Sequence, residues 1–126
     1  MDQLADLAIV GSVLFEHESK ERDAAIEIIR AAIEKLFPHR VISGGAMGID
    51  KLAVSIAEDQ YDIPTLEFKP KNKRWKPEGF EARNMLIAQE CTHLLCIRHH
   101  NSTTYGSGWT ADYAESIGKQ VARRTL

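Results

Sequence analysis

The sequence predicts an α/β fold in which a five-stranded parallel sheet carries helices on both faces. Short apolar, β-branched runs alternate with amphipathic segments along the chain, in the order β-α-β-α-β-α-β-α-β. Strict alternation of this kind requires a parallel sheet, because right-handed crossovers lay each helix over the sheet. A chain of 126 residues is long enough for one core, so we expect residues 1–126 to form a single domain.

The first half of the chain predicts two strand–helix units. Residues 7–11 are a continuous apolar run stopped by glycine, which is typical of a strand buried on both faces. Apolar side chains repeat at helical spacing from 20 to 36, and Pro38 ends that helix. Residues 40–43 form a short second strand, and the apolar spacing from 49 to 57 predicts the second helix.

The second half repeats the alternation around two polar loops. Residues 64–68 predict a third strand, and the prolines and basic residues of 69–79 predict a long loop. The remaining elements are a helix from about 79 or 80 to 91, a strand over 92–97, a loop over 98–108, a helix from about 109 to 117 and a last strand over 120–122.

Ligands of such sheets bind outside the carboxyl ends of the strands, near the point where the strand order reverses. The segments that leave these ends are Gly11-Ser12, the stretch 43–48, the basic loop 69–79 and the loop 98–108. The unusual residues of the chain lie in these four segments. We therefore expect the functional site at this edge.

Residues 43–50 read S-G-G-A-M-G-I-D, a strand end that turns through glycines into a helix. Glycines allow a sharp turn, and the free N–H groups that open the helix favour an anion, so this segment predicts a phosphate site. The spacing G-G-x-x-G is neither the dinucleotide fingerprint nor the P-loop. A tight turn without a ligand is the alternative. The candidate binding residues are Ser43, Gly44, Gly45, Ala46 and Gly48, together with Asp50, which acts either as a helix stabiliser or as a hydroxyl-binding group.

A second glycine-rich element precedes the fourth helix. Gly106, Ser107, Gly108 and Thr110 offer backbone amides and hydroxyls for another part of the ligand. On its own this motif is weak. Two turns suited to anions at one edge of the same sheet favour a shared ligand.

Basic and aromatic side chains accompany both turns. Arg83-Asn84 lies near the start of the third helix, and arginine presents a rigid fork suited to phosphate, although a solvated surface pair is the alternative. The basic loop also contains Trp75, whose ring could stack on a base, whereas most runs of charge are simply solvated. The context favours ligand binding for both.

Composition excludes several classes of protein. A net charge of −2 argues against a surface that binds nucleic acid everywhere, and no apolar run approaches the length of a membrane span. The acidic start lacks the basic region of a secretion signal, so we expect a cytoplasmic protein. Cys91 and Cys96 fit no zinc or redox spacing and are expected to be buried thiols. We expect His99 and His100 to point in different directions, and no metal or cofactor is predicted.

The chain resembles the SLOG superfamily over nearly its whole length. The resemblance rests on S-G-G-A-x-G-x-D over 43–50 with Ala53, on Trp75, on Arg83-Asn84, and on Ser107-Gly108-x-Thr110 with Ala114 and Gly118-Lys119. This superfamily includes the Lonely Guy phosphoribohydrolases, the nucleotide-binding core of DNA-processing protein A and small stand-alone members related to YpsA and YspA, which the chain resembles most.

The resemblance implies a modified Rossmann-like domain that binds nucleotides or nucleotide-derived ligands and self-associates. The leading hypothesis is a nucleotide sensor or binding protein with Arg83 on the phosphate and Trp75 on the base or ribose. The second is a nucleoside monophosphate phosphoribohydrolase, in which Arg83 orients the phosphate and Asp112 or Glu115, the acids nearest the family's glutamate, stabilises the ribose cation. The third is single-stranded DNA binding through Trp75 and the basic loop.

Overall fold

The computed structural model describes residues 4–126, apart from the side chain of Glu16, and has a five-stranded all-parallel sheet. The predicted α/β class is confirmed. The elements are β1 (Asp6–Gly11), a short 3-10 helix (Val13–Glu16), α1 (Lys20–Leu36), β2 (Arg40–Ser43), α2 (Ile49–Tyr61), β3 (Thr65–Glu67), α3 (Phe80–Glu90), β4 (His93–Arg98), α4 (Gly106–Ser116) and β5 (Gln120–Thr125).

The strand order is β3-β2-β1-β4-β5, so the chain reverses direction across the sheet between β1 and β4. β1 pairs with β2 on one side and with β4 on the other, and both pairings are parallel. The segments that leave β1 and β4 therefore diverge to opposite sides, which opens a crevice at the carboxyl edge. This crevice is where the sequence predicts the site.

Two apolar cores cover the two faces of the sheet. Successive side chains of a strand point to opposite faces, so Leu95 joins one core and its neighbour Leu94 joins the other. The first core packs α1 and α2 on the sheet, and the second core packs α3 and α4 on the opposite face. Cys91 and Cys96 are buried, unpaired thiols in the second core, as expected.

The boundaries of α1 are those predicted. Ser19 precedes this helix, and its hydroxyl oxygen accepts the Arg22 N–H at 3.0 Å, which satisfies one of the N–H groups left open at a helix start. The apolar side chains Ala25, Ile29 and Ile33 recur on one face and are buried in the first core.

Two later elements differ from the prediction. α4 begins at Gly106, three residues before the expected Trp109, because Gly108 has no side chain and packs directly under the Tyr105 ring. β5 extends to Thr125, past the expected end at Ala122, because β4 offers partners as far as Arg98. The last part of this edge strand contains exposed arginines, so its hydropathy does not indicate a strand.

None of the helices within the described part of the chain combines the length and apolar character that a bilayer crossing requires.

Candidate functional site

A cleft of about 390 Å³ opens at the carboxyl ends of β1 and β4. Ligand pockets in proteins typically measure about 300–1,000 Å³, so the cleft has room for a small ligand. Residues from every predicted site segment line it: Val10, Gly11, Ser12, Val13, Ala46, Asp50, Trp75, Phe80, Arg83, Asn84, Ile87, Thr104, Gly106, Ser107 and Thr110.

Close packing of the chain positions the floor of the cleft. Gly48 has a φ of 78°, in the left-handed region that favours glycine, and a Cβ there would collide with the Ser12 carbonyl oxygen. The Ser12 carbonyl in turn accepts the Ile49 N–H at 3.2 Å, which ties the start of α2 to the segment after β1. The two strand-end segments are thereby held against each other.

Asp50 is a buried carboxylate in the first turn of α2 and lines the cleft. Its Oδ2 accepts the Gly44 N–H at 3.2 Å. Burial raises the pKa of Asp50 to about 6, against the opposing influence of the Arg83 charge and of backbone N–H groups that include those of Ala46 and Gly11. The chain thus supplies its own anion to the amides of the turn between β2 and α2, residues 43–48, which we call the first glycine turn.

The first glycine turn is occupied by side chains of the chain itself. The Gly45 N–H donates to Ser43 Oγ at 3.1 Å, and the Ser43 hydroxyl donates to the Asp50 carbonyl at 3.2 Å. Asp50 lines the cleft. Four other residues of this segment do not line it: Ser43, Gly44, Gly45 and Gly48. The Asp50 carboxylate satisfies the Gly44 amide and the Ser43 hydroxyl satisfies the Gly45 amide, both without a ligand, so this turn shapes the cleft and does not form an open cradle.

Arg83 is the cation of the cleft. Its Nη1 donates to the Gly44 carbonyl at 2.6 Å, its Nε donates to Asn84 Oδ1 at 2.7 Å, and its guanidinium lies 5.4 Å from the centre of the Phe80 ring. A Cβ on Gly44 would lie 2.8 Å from Nη1 and 2.9 Å from Asp50 Oδ2, so glycine is what lets both side chains approach this turn. Burial lowers the pKa of Arg83, and the neighbouring Asp50 charge opposes that shift.

The second glycine-rich element forms the first turn of α4. Among the residues that the structure describes, no side chain caps this turn, so its leading N–H groups stay available to an anion. Gly106 and Ser107 line the cleft, and Gly108 lies beneath the Tyr105 ring. Thr110 lines the cleft too, although its hydroxyl donates to the Gly106 carbonyl at 2.9 Å.

Trp75 contributes an aromatic wall to the cleft. The ring is 38% exposed and meets Trp109 edge to face, with ring centres 5.1 Å apart. Trp109 in turn stacks on Tyr113 at 5.4 Å. In the basic loop beside it, Lys71 pairs with Glu78 and Lys76 pairs with Glu81. The loop contains three more cations: Lys69, Lys73 and Arg74.

The two acids expected to stabilise a ribose cation lie outside the cleft. Asp112 accepts a bond from Arg123 at 2.9 Å and another from the Tyr105 hydroxyl at 2.9 Å, and Glu115 accepts from Arg123 at 3.3 Å. With α4 beginning at Gly106, its inward positions are taken by small residues, and Asp112 and Glu115 fall on the exposed face. Within the described residues that line the cleft, Asp50 is the only carboxylate.

The sequence missed several lining residues. Phe80 lies one turn before Arg83 on α3, and that spacing could have indicated its contact with the guanidinium. Thr104 directly precedes the second glycine element and was within reach of the same argument. Val10, Val13 and Ile87 are ordinary apolar residues that carry no signal in the sequence.

The adjacent histidines correct a further expectation. The rings of His99 and His100 do not point in different directions but stack, with centres 4.5 Å apart and planes inclined by 22°. They lie in the loop after β4, where the chain leaves the extended conformation that would alternate its side chains.

A second groove, of about 370 Å³, lies between α1 and the strands β4 and β5. Its lining is mainly aliphatic, with Lys35 and Arg124 among the few charges. It contains none of the predicted site residues, so the cleft is the stronger candidate for a ligand site.

A solved structure shares the fold of this chain. The X-ray structure of DNA processing protein A (DprA) from Streptococcus pneumoniae aligns with a TM-score of 0.53 at 17% sequence identity. The match covers 94% of this chain but only 58% of the DprA chain. No protein-family model and no curated protein sequence matches the chain. The expected likeness to the DNA-processing protein A core is therefore confirmed as a likeness of fold.

Proposed function

We propose that the chain is a cytoplasmic nucleotide sensor or binding protein of the SLOG type that takes a nucleotide or nucleotide-derived phosphorylated ligand into the cleft. The main support for this proposal is that several separate segments of the chain line the same cleft. Segments that leave four different strands, together with the Arg83-Asn84 pair of α3, meet around one space of about 390 Å³. That space combines a cation, open helix amides and an exposed aromatic ring, the three groups that phosphate and base require.

The phosphate is assigned to the first turn of α4 and to Arg83. The amides of Gly44 and Gly45 already donate to side chains of the chain, whereas the first turn of α4 has no side-chain cap in the described residues. A helix start attracts negative charge through its free N–H groups and its dipole. Arg83, fixed by Gly44 and Asn84, adds a full positive charge.

The base and the sugar are assigned to the remaining walls. Trp75 offers a face for stacking and is backed by Trp109, which limits the motion of its ring. Asp50 lines the cleft, and its carboxylate is suited to accept a hydrogen bond from a ribose hydroxyl. This is the hydroxyl-binding role that the sequence offered as an alternative to helix stabilisation.

Nucleotide binding is tested by adding a fixed negative charge to the start of α4. Ser107→Asp introduces a carboxylate at the proposed phosphate position, and an acid in the first turn should leave the fold intact or stabilise it by about 0.3–1 kcal/mol. The wild type should gain about 2.7 kcal/mol of stability at a ligand concentration one hundred times Kd, and the variant should gain none. Thermal unfolding against a panel of nucleoside monophosphates measures both effects.

The matched control is Thr103→Asp, which adds the same charge in the loop that leads into α4 but outside the lining of the cleft. It should bind the ligand as the wild type does. The proposal is wrong if no phosphorylated nucleotide stabilises the wild type, or if both variants lose binding equally.

The phosphoribohydrolase hypothesis stays open because one carboxylate does line the cleft. A pKa of about 6 suits Asp50 to acid–base work near neutral pH, whereas Asp112 and Glu115 are paired with Arg123 outside it. If the chain is an N-glycosidase, Asp50→Asn should abolish release of free base from nucleoside monophosphates, and Asp112→Asn should not.

Single-stranded DNA binding is supported by the exposed Trp75 beside the basic loop, and the name of the DprA neighbour refers to DNA processing. Such binding should weaken steeply with salt and with Lys73→Ala plus Arg74→Ala. The resemblance also supports self-association, which sedimentation of the purified chain would test.

A further inference from the structure

A cluster of metal-binding side chains lies beside the cleft, on the α1 side of the sheet edge. Glu21 belongs to the first turn of α1, and His99 and His100 follow directly after β4. One ligand atom from each side chain lies within 4.8 Å of those of the other two. Glu21 and the His99-His100 pair, which are distant in sequence, thus lie next to each other in the fold.

The hydrogen bonds of His100 prepare it to ligate. Its Nδ1 lies 2.8 Å from the Leu126 main-chain oxygen, which can only accept, so Nδ1 carries the proton. The Nε2 atom therefore holds a free lone pair. A metal-ligating histidine usually donates its other ring N–H to a carbonyl or carboxylate in this way, which fixes the tautomer and the orientation of the ring.

His99 is held in a different way. The Asn101 N–H donates to His99 Nδ1 at 3.1 Å, and the Phe15 ring meets the imidazole edge to face with centres 5.3 Å apart. Metal binding through either nitrogen breaks the hydrogen bond from Asn101. A metal at Nδ1 takes the place of the Asn101 N–H, and a metal at Nε2 requires the ring proton to move to Nδ1, which can then no longer accept that bond. A metal lies in the plane of each imidazole that binds it, so the nearly parallel stack of His99 on His100 must also open when both rings bind one ion.

We propose that Glu21, His99 and His100 bind a Zn²⁺ ion. Imidazole nitrogens with one carboxylate oxygen are a common zinc donor set, and three protein ligands leave a fourth position for water. Ligand bonds of about 2.0–2.2 Å require the three atoms to lie closer together than 4.8 Å, so binding needs a small movement of these side chains toward one another.

A metal here would join two elements at the rim of the cleft. The His99 N–H donates to Ser12 Oγ at 3.0 Å, and Ser12 lines the cleft. Zinc would therefore fix the start of α1 to the loop between β4 and α4, which leads into Gly106 and Ser107 of α4. The site is independent of the proposed nucleotide, since none of its three side chains lines the cleft.

Zn²⁺ alone is the probe. Calorimetric titration of the purified chain should show one zinc per chain, and zinc should raise the unfolding temperature. His100→Ala and Glu21→Gln should each weaken binding at least tenfold and remove the thermal shift. Circular dichroism without metal checks that both variants fold. His39→Ala is the control, because it removes a histidine at the opposite edge of the sheet, beside Asp6.

Three results would overturn the proposal: no zinc binding by the wild type, wild-type affinity in both Glu21→Gln and His100→Ala, or equal loss of affinity in His39→Ala. Mg²⁺ serves as a second probe. It prefers oxygen ligands, so displacement of zinc by an equal concentration of Mg²⁺ would also contradict a histidine site.

Discussion

Burial of the Asp50 carboxylate makes the stability of the chain depend on pH. The pKa of this group rises from its ordinary value of 3.8 to about 6 on folding, so the folded chain holds the proton more tightly than the unfolded chain. The stabilising contribution is complete below the unfolded pKa. It is lost as pH rises through the folded pKa, because the charged carboxylate must then be kept in a buried site.

Asp50→Asn should therefore become more stable relative to the wild type as pH rises from 4 to 7. The change in the difference should be on the order of 2–3 kcal/mol, since one pKa unit corresponds to about 1.4 kcal/mol. Chemical denaturation of both proteins across that range measures it. Asp59→Asn, the same change on the exposed side of α2, should show no comparable trend. A constant difference for Asp50→Asn would contradict the raised pKa.

At the scale of elements, the turn between β2 and α2 depends on close backbone packing as well as on a positive φ. Gly48 and Gly118 offer a matched comparison, because their φ angles are 78° and 87°. A Cβ on Gly48 would collide with the Ser12 carbonyl, whereas a Cβ on Gly118 would meet no atom of the described chain within 4 Å.

Gly118→Ala should cost about 1–2 kcal/mol, the penalty of the left-handed backbone alone. Gly48→Ala should cost about 2–4 kcal/mol, because the steric collision adds to that penalty. Urea denaturation of the two variants tests this order. Equal losses would mean that the contact between this turn and Ser12 relaxes without cost.

For the molecule as a whole, the sheet separates two cores that should respond to mutation independently. Ile33 packs in the first core and Ile87 in the second. Each Ile→Val change should cost about 0.5–1.5 kcal/mol. The double variant should lose the sum within about 0.5 kcal/mol, because the residues share no partners. Equilibrium unfolding measures this, with Ile29→Val plus Ile33→Val as the comparison within one core. A larger coupling across the sheet than within the first core would contradict this independence.

Local patterns of the sequence were sufficient for most of the elements. The apolar repeat of α1 and Pro38 predicted its bounds, and the alternation of strands and helices predicted a parallel sheet with helices on both faces. The edge at which the site residues gather followed from the same alternation, because all parallel strands end on one side.

The other features of the fold and of the site depend on contacts that no local pattern of the sequence shows. No pattern shows that Asp50 turns back to the amide of Gly44, since the acid is equally suited to stabilise α2 by its charge alone. The outward position of Asp112 had no clear signal in the sequence, because the core-facing positions of α4 are taken by small residues such as Gly108, Ala111 and Ala114 and not by a strongly apolar stripe. The single-domain prediction and the ligand itself stay predictions.

The indole contact at the cleft has a practical consequence. Trp75 and Trp109 are the two tryptophans of the chain, and they lie edge to face where Trp75 forms the wall. Intrinsic emission of the unlabelled protein therefore originates at the cleft and its backing. A guest that covers the exposed ring should shift or quench that emission, so spectroscopy can follow occupancy in real time without a dye.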